Sequence, residues 1–228
     1  MNNELEGGQP WPFHKFNENT DSRVVDDLTY NIRVKPITTA PKTPTIPQGR
    51  DTFETPNYAV DLLIPFIPKN IDFVWECAAG SGKIVNRLKH HGYGVYATDI
   101  RQNSGIDLIW NFVDPTAVPM FINYMRNMAI ITNPPYSVKE LFINRALEMD
   151  CPFAFLINAD YSGLQINWIK KGCEKIIPNR RIDFITPTGR QGKTSASQFH
   201  SIWLTHGFNL GRTETFVELS LKEKKENI

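Results

Sequence analysis

Residues 72–83 read DFVWECAAGSGK and are followed by IVNRLKHHG (84–92) and GVYATDI (94–100). FVWEC is short and apolar on both faces, as buried parallel strands are. It breaks at Gly80 and Gly82, after which Ile84, Val85 and Leu88 recur at helical spacing. GVYATDI is again strand-like and ends in an acid. A strand, a glycine turn, a helix and a second strand make the βαβ unit of a doubly wound α/β sheet.

The alternation extends in both directions. Helices are expected over TPNYAVDLLIPFI (55–67), TAVPMFINYMRN (116–127), VKELFINRALEM (138–149) and SGLQINWIKKG (162–172). Strands are expected in MAIIT (128–132), PFAFLINA (152–159), CEKIIPNRRIDFI (173–185), SQFHSIWLTHGF (197–208) and TETFVELS (213–220). The expected fold is α/β: a mostly parallel, doubly wound sheet with an antiparallel C-terminal hairpin. Ligands of such sheets bind beyond the carboxyl ends of the strands, so the residues just after each strand are where chemistry is sought.

The 228 residues are 41% hydrophobic and 21% charged, ordinary globular values, and 25 Lys+Arg against 24 Asp+Glu give no overall basic character. Cys77, Cys151 and Cys173 have no C-x-x-C spacing, which supports neither a disulfide framework nor a zinc ribbon. The expectation is a reducing, cytoplasmic setting, with no secretion signal and no membrane partner. VKPITTAPKTPTIPQGR (34–50) carries four prolines and little to bury, so residues 1–50 read as an N-terminal arm and linker. Trp11, Phe13 and Phe16 leave docking of that arm open beside disorder. A catalytic domain is expected over 51–220 and a charged tail over 221–228.

Gly80 and Gly82 let a ligand approach the backbone at a helix start with unpaired N–H groups. Glu76, at the strand end, can accept from a cationic or amine-bearing group. Asp99 is placed to take the hydroxyls of a ribose. Gly82-Lys83 and Gly192-Lys193-Thr194 lack the spacing of a phosphate-binding P-loop. At Asn133-Pro134-Pro135-Tyr136 two prolines remove two donors and hold Asn133 extended, leaving a rigid turn rich in acceptors beside an aromatic ring. That suits a planar group bearing an NH2. No Ser/His/Asp arrangement and no metal-ligand cluster is visible, and the five histidines read as structural.

The order TPNYAVDLL (55–63), ECAAGSGK (76–83), ATDI (97–100), NPPY (133–136) resembles the S-adenosylmethionine-dependent amino-methyltransferases of the Rossmann-like class I fold, particularly DNA adenine-N6 methyltransferases of phage and prophage type. The resemblance spans about 53–205. It implies S-adenosyl-L-methionine as cofactor, with Glu76, Ala78, Gly80 and Gly82 beside its methionine part and Asp99 and Ile100 at its ribose. Phe53, Thr55, Pro56 and Tyr58 look like the family's cofactor-carboxylate motif. The motif at the cofactor adenine stays open between Asp107-Leu108 and Asn111-Phe112. Asn133, which also adjoins the cofactor, Pro134, Pro135 and Tyr136 would hold the target base.

The implied partner is DNA, with RNA as the alternative, in a bacterial or phage-infected host cell; nothing specifies an oligomer. Residues 160–228 hold eleven Lys/Arg against seven Asp/Glu, and Arg190 and Lys193 fall in a Gly/Thr loop suited to phosphates. Lys193 to Ser197, with Ser195 and Ser197, followed by Trp203, also looks like a stretch of the related phage proteins. No loop is long enough to be a target-recognition insert, so short or relaxed specificity is expected. RNA adenine or protein glutamine as acceptor, and a non-catalytic cofactor-binding scaffold, remain the competing readings.

Overall fold

A computed structural model describes residues 53–114, 127–185 and 199–226. All but the last residue of the helix expected over 116–127, and the loop residues Arg190, Lys193, Ser195 and Ser197, lie outside the described residues.

The described strands are β1 (Phe73–Glu76), β2 (Gly94–Asp99), β3 (Leu108–Ile109), β4 (Met128–Thr132), β5 (Phe153–Asn158), β6 (Glu174–Pro178), β7 (Ser201–His206) and β8 (Glu214–Val217). They form one sheet in the order β3-β2-β1-β4-β5-β7-β6-β8. The pairs β1–β2, β2–β3, β1–β4, β4–β5 and β6–β8 are parallel, and β7 alone runs antiparallel, between β5 and β6. The direction of winding reverses between β1 and β4, the switch point at which doubly wound sheets open a crevice. This is a Rossmann-like α/β fold.

Successive strand residues point to opposite faces, and both faces are covered. On one side, α1 (Asn57–Asp61) and α2 (Lys83–His90) bring Tyr58, Val60, Leu63, Ile84 and Leu88 against Val74, Ile131, Leu156 and Trp203. On the other, α3 (Lys139–Glu148) and α4 (Gly163–Lys170) set Phe142, Ile143, Ala146 and Trp168 against Trp75, Ile130, Phe155 and Ile202. Two-sided burial explains why every residue of β4 is buried and why the strand reads as a continuous apolar run. Each large side chain so buried contributes about 1.5–3 kcal/mol.

Three differences from the sequence reading have local causes. The strand expected over 173–185 stops at Pro178, which has no N–H for the ladder. Asn179 then accepts from the Leu219 N–H at 2.9 Å, and the chain continues irregularly to a single bridge between Ile185 and Glu54. The antiparallel strand β7 has both edges taken, so β8 pairs with β6 and the segment between β7 and β8 is not a hairpin turn. The tail begins as a helix, α5 (Leu221–Glu226), started by a reciprocal cap: Ser220 N–H donates to Glu223 at 2.7 Å and Glu223 N–H to Ser220 Oγ at 3.1 Å. Lys224 anchors it to Asp183 at 2.6 Å.

Candidate active site

At the carboxyl edge, β1 delivers Glu76 into the turn that carries the two glycines. Gly80 has φ +51° and Gly82 φ +81°, a left-handed backbone that side chains with a Cβ resist. A Cβ at either would meet nothing nearer than 3.9 Å, so conformation rather than crowding requires glycine. Gly82 is the N-cap of α2 and offers no side-chain cap, which leaves the helix's first N–H groups without one.

Asp99 ends β2 and is 4% exposed. Its Oδ2 accepts from the Gly80 N–H at 2.9 Å and its Oδ1 from the Arg101 N–H at 2.9 Å. The carboxylate thereby locks the glycine turn to β2; Arg101 Nε also lies 3.4 Å from Oδ1, and a lone pair remains on Oδ2 for a further donor.

Glu76 is 0% exposed. Its Oε1 accepts from the Thr132 hydroxyl, at the end of β4, and from the Ala78 N–H at 3.4 Å; its Oε2 has no partner. Burial pushes the carboxyl up to about 8; the Thr132 and Ala78 hydrogen bonds oppose that rise, and the negative charge of Asp99 adds to it.

Thr132 leads directly into Asn133. The Asn133 Nδ2 donates to Thr55 Oγ1 at 3.2 Å, joining the TPNY and NPPY stretches across 78 residues of sequence. Its Oδ1 is buried and has no partner. Pro134 is buried behind it. The Tyr136 ring meets Phe199 edge-on at 5.1 Å and Phe184 at 6.4 Å; Phe184 is core, whereas Phe199 is 38% exposed.

The remaining expected site residues divide. Ala78 sits half-buried in the glycine turn, Ile100 lies exposed just beyond Asp99, and Phe53 is exposed ahead of the buried Thr55 and Pro56. Asp107 accepts from the Ala97 N–H at 2.8 Å and Asn111 Oδ1 from the Val113 N–H at 3.3 Å, so each already serves the backbone with one oxygen. Two further expected residues are packed within the core. Tyr58 is 1% exposed and its hydroxyl accepts from the Asp183 N–H at 2.7 Å; burial pushes the phenol up to about 12. It anchors α1, as does the Trp203 indole N–H bonded to the Ala59 carbonyl at 2.8 Å. Phe112 is a core ring, 5.1 Å from Trp75 and 5.0 Å from Phe142.

The described basic residues of the stretch, over 168–185, do not make one surface. Lys170 and Lys171 close α4 at the amino edge, Lys175 is buried against Glu214 at 3.6 Å, and Arg180 and Arg181 emerge exposed after β6 at the carboxyl edge. A cleft of about 630 Å³ lined by Asn144, Leu147, Glu148, Asp150, Lys171 and His206 also lies at the amino edge, away from Glu76, Asp99 and Asn133. Thr132, Phe184 and Phe199 were missed by sequence reasoning. Thr132 carried a signal, its place immediately before the Asn-Pro-Pro-Tyr turn; the two rings carried none, because their contact with Tyr136 is wholly tertiary.

No family model matches this chain, and no curated protein does. Among solved structures it is similar to a modification subunit assigned to a type I restriction enzyme of Vibrio vulnificus, at 10% identity over 76% of this chain and 51% of that one, with a TM-score of 0.45. It is also similar to the 23S rRNA methyltransferase ErmE (12% identity, 77% of this chain, 75% of that one, TM-score 0.43). A dimethyladenosine transferase from Plasmodium falciparum is a further likeness (16% identity, 67% and 62%, TM-score 0.39). The chain spans about half of the Vibrio protein. These likenesses are too distant to bear on substrate.

Proposed function

We propose that the chain transfers a methyl group from S-adenosylmethionine to the exocyclic N6 amine of adenine in DNA, with the base turned out into the Asn-Pro-Pro-Tyr pocket. The observation that carries this reading is the Asn133 Oδ1, a buried acceptor without a donor, at the end of β4 beside the Glu76, Gly80 and Asp99 edge. A buried oxygen left so costs about 1–3 kcal/mol, which a ligand amine would recover.

The residues present fit the cofactor. Glu76 Oε2 is buried with no partner among the described residues, Asp99 Oδ2 has a lone pair to spare for a ribose hydroxyl, and the glycine turn has no Cβ in the way. When bound, S-adenosylmethionine supplies a methyl group on a sulfonium. An amine conjugated with its ring is a poor nucleophile. Asn133 Oδ1 and the Pro134 carbonyl would accept hydrogen bonds from its two N–H groups, drawing the nitrogen toward tetrahedral geometry and freeing its lone pair, and one N–H proton would leave to solvent as the methyl is gained. Thr55 holds the Asn133 amide in the orientation that presents oxygen to the pocket. Tyr136, braced by Phe184 and Phe199, supplies a stacking face. Catalysis on this scheme is positioning and electrostatics, with no covalent enzyme intermediate.

The test is transfer of labelled methyl from S-adenosylmethionine to unmethylated DNA, total RNA and protein extract in parallel, followed by nucleoside and amino-acid analysis. N6-methyladenine in DNA is the expected product. Label confined to RNA adenine or to glutamine would keep the pocket chemistry and replace the acceptor. Cofactor binding without transfer would leave a scaffold.

A further inference from the structure

Glu76 has 0% exposure and makes no ion pair among the described residues. Its surroundings can be enumerated by element. β4 contributes the Thr132 hydroxyl, the glycine turn the Ala78 N–H, and β2 the Asp99 carboxylate; next to it on the chain is the Cys77 thiol, itself pushed well up by burial and by Glu76. Both donors go to Oε1. Among the described residues Oε2 has no donor and no cation paired with it. Moving an ionised carboxylate into such a place costs several kcal/mol, and the nearby charge is of the same sign. The group therefore rests as a neutral acid with its proton on Oε2, in keeping with a carboxyl pushed up to about 8.

We infer that Glu76 is a proton-coupled receptor for a ligand ammonium: the free protein holds it as an acid, and it releases its proton to solvent when a cationic amine is set against Oε2. The O–H bond breaks, the proton leaves to buffer, and an N–H···O ion pair replaces it; nothing is oxidised or reduced. This rests on the cofactor reading above, since the amino-acid part of S-adenosylmethionine carries such an amine. Two consequences follow. Affinity for the cofactor strengthens about tenfold per pH unit from 6 to 8 and then levels off. An adenosine ligand without an ammonium binds without that dependence.

The experiment is calorimetric titration of the full chain with S-adenosylhomocysteine at pH 7 in phosphate and in Tris, whose ionisation enthalpies differ. The difference in apparent enthalpy counts protons released. Close to one proton per ligand is expected for the wild type, and close to none for Glu76→Gln or for wild type titrated with adenosine. Binding of S-adenosylhomocysteine without proton release overturns the inference and leaves the cofactor reading standing. Unchanged release in Glu76→Gln also overturns it, and no binding at all overturns both. Should the variant fail to fold, the wild type labelled with ¹³C at glutamate carboxyls decides: one carboxyl titrating near 8 alone and below about 6 with ligand is expected. No carboxyl titrating above the ordinary range sinks the idea.

Discussion

The carboxyl end of β2 and those of β1 and β4 lie on one edge of the sheet, yet they are finished differently. At β2, Asp99 has both oxygens occupied by backbone N–H groups, from Gly80 and Arg101. At β1 and β4, Glu76 Oε2 and Asn133 Oδ1 are buried and unpartnered. The first end is mostly committed to architecture: the carboxylate shapes the glycine turn and keeps one lone pair open on Oδ2. The other two hold unmet hydrogen-bonding capacity, which a bound ligand or an ordered water can meet. The contrast separates residues that build the site from residues that wait for its ligands.

Removing the waiting oxygen of Asn133 is the severest way to test that division. Asn133→Ala is expected to lower methyl transfer about 10²–10³-fold or more while shifting cofactor affinity by a factor of about three at most, read by labelled transfer and by calorimetry. Equal loss of both would erase the distinction between the β4 end and its neighbours.

Glu76 sharpens the comparison through pH. Its folded carboxyl lies near 8, well above the unfolded range, so the folded chain keeps a proton that the unfolded chain has lost. The stability it lends is complete at acid pH and is lost as pH rises through about 8, an effect of a few kcal/mol. Denaturant unfolding across pH 4.5 to 9 should show that decline, and Glu76→Gln should flatten it.

Asp99 belongs to the committed end, so its loss should register in the fold as well as in binding. Asp99→Ala is expected to cost about 2 kcal/mol of stability, by stranding the Gly80 and Arg101 N–H groups, and to weaken the cofactor together with it. A weakened cofactor with unchanged stability would move Asp99 to the waiting class. The smallest effect belongs to Tyr58. Tyr58→Phe should lower stability by about 1 kcal/mol, the hydrogen bond from Asp183, with cofactor affinity unaltered. A loss of affinity there would favour the cofactor role that its sequence context implied.

Much of the scaffold was legible because it is written in short-range chemistry. FVWEC, MAIIT and FAFLI are apolar on both faces because helices cover both sides of the sheet, and each became a strand within a residue or two. Ser220-x-x-Glu223 was equally readable as a helix start; charge alone made the segment read as a tail. The pairing of β8 with β6 was not legible. Neither strand's residues encode which edge is already occupied by β7.

The same boundary runs through the site. The positions of Glu76, the glycine turn, Asp99 and the Asn-Pro-Pro-Tyr turn at strand ends follow from residue types and periodicity, since backbone preference and strand length act over a few residues. That Tyr58 and Phe112 pack in the core, that Thr132 donates to Glu76, and that Phe199 stands against Tyr136 depend on partners 30 to 125 residues away. Such contacts exist only once the sheet has closed, because burial and hydrogen-bond satisfaction belong to the assembled packing and not to any segment of chain.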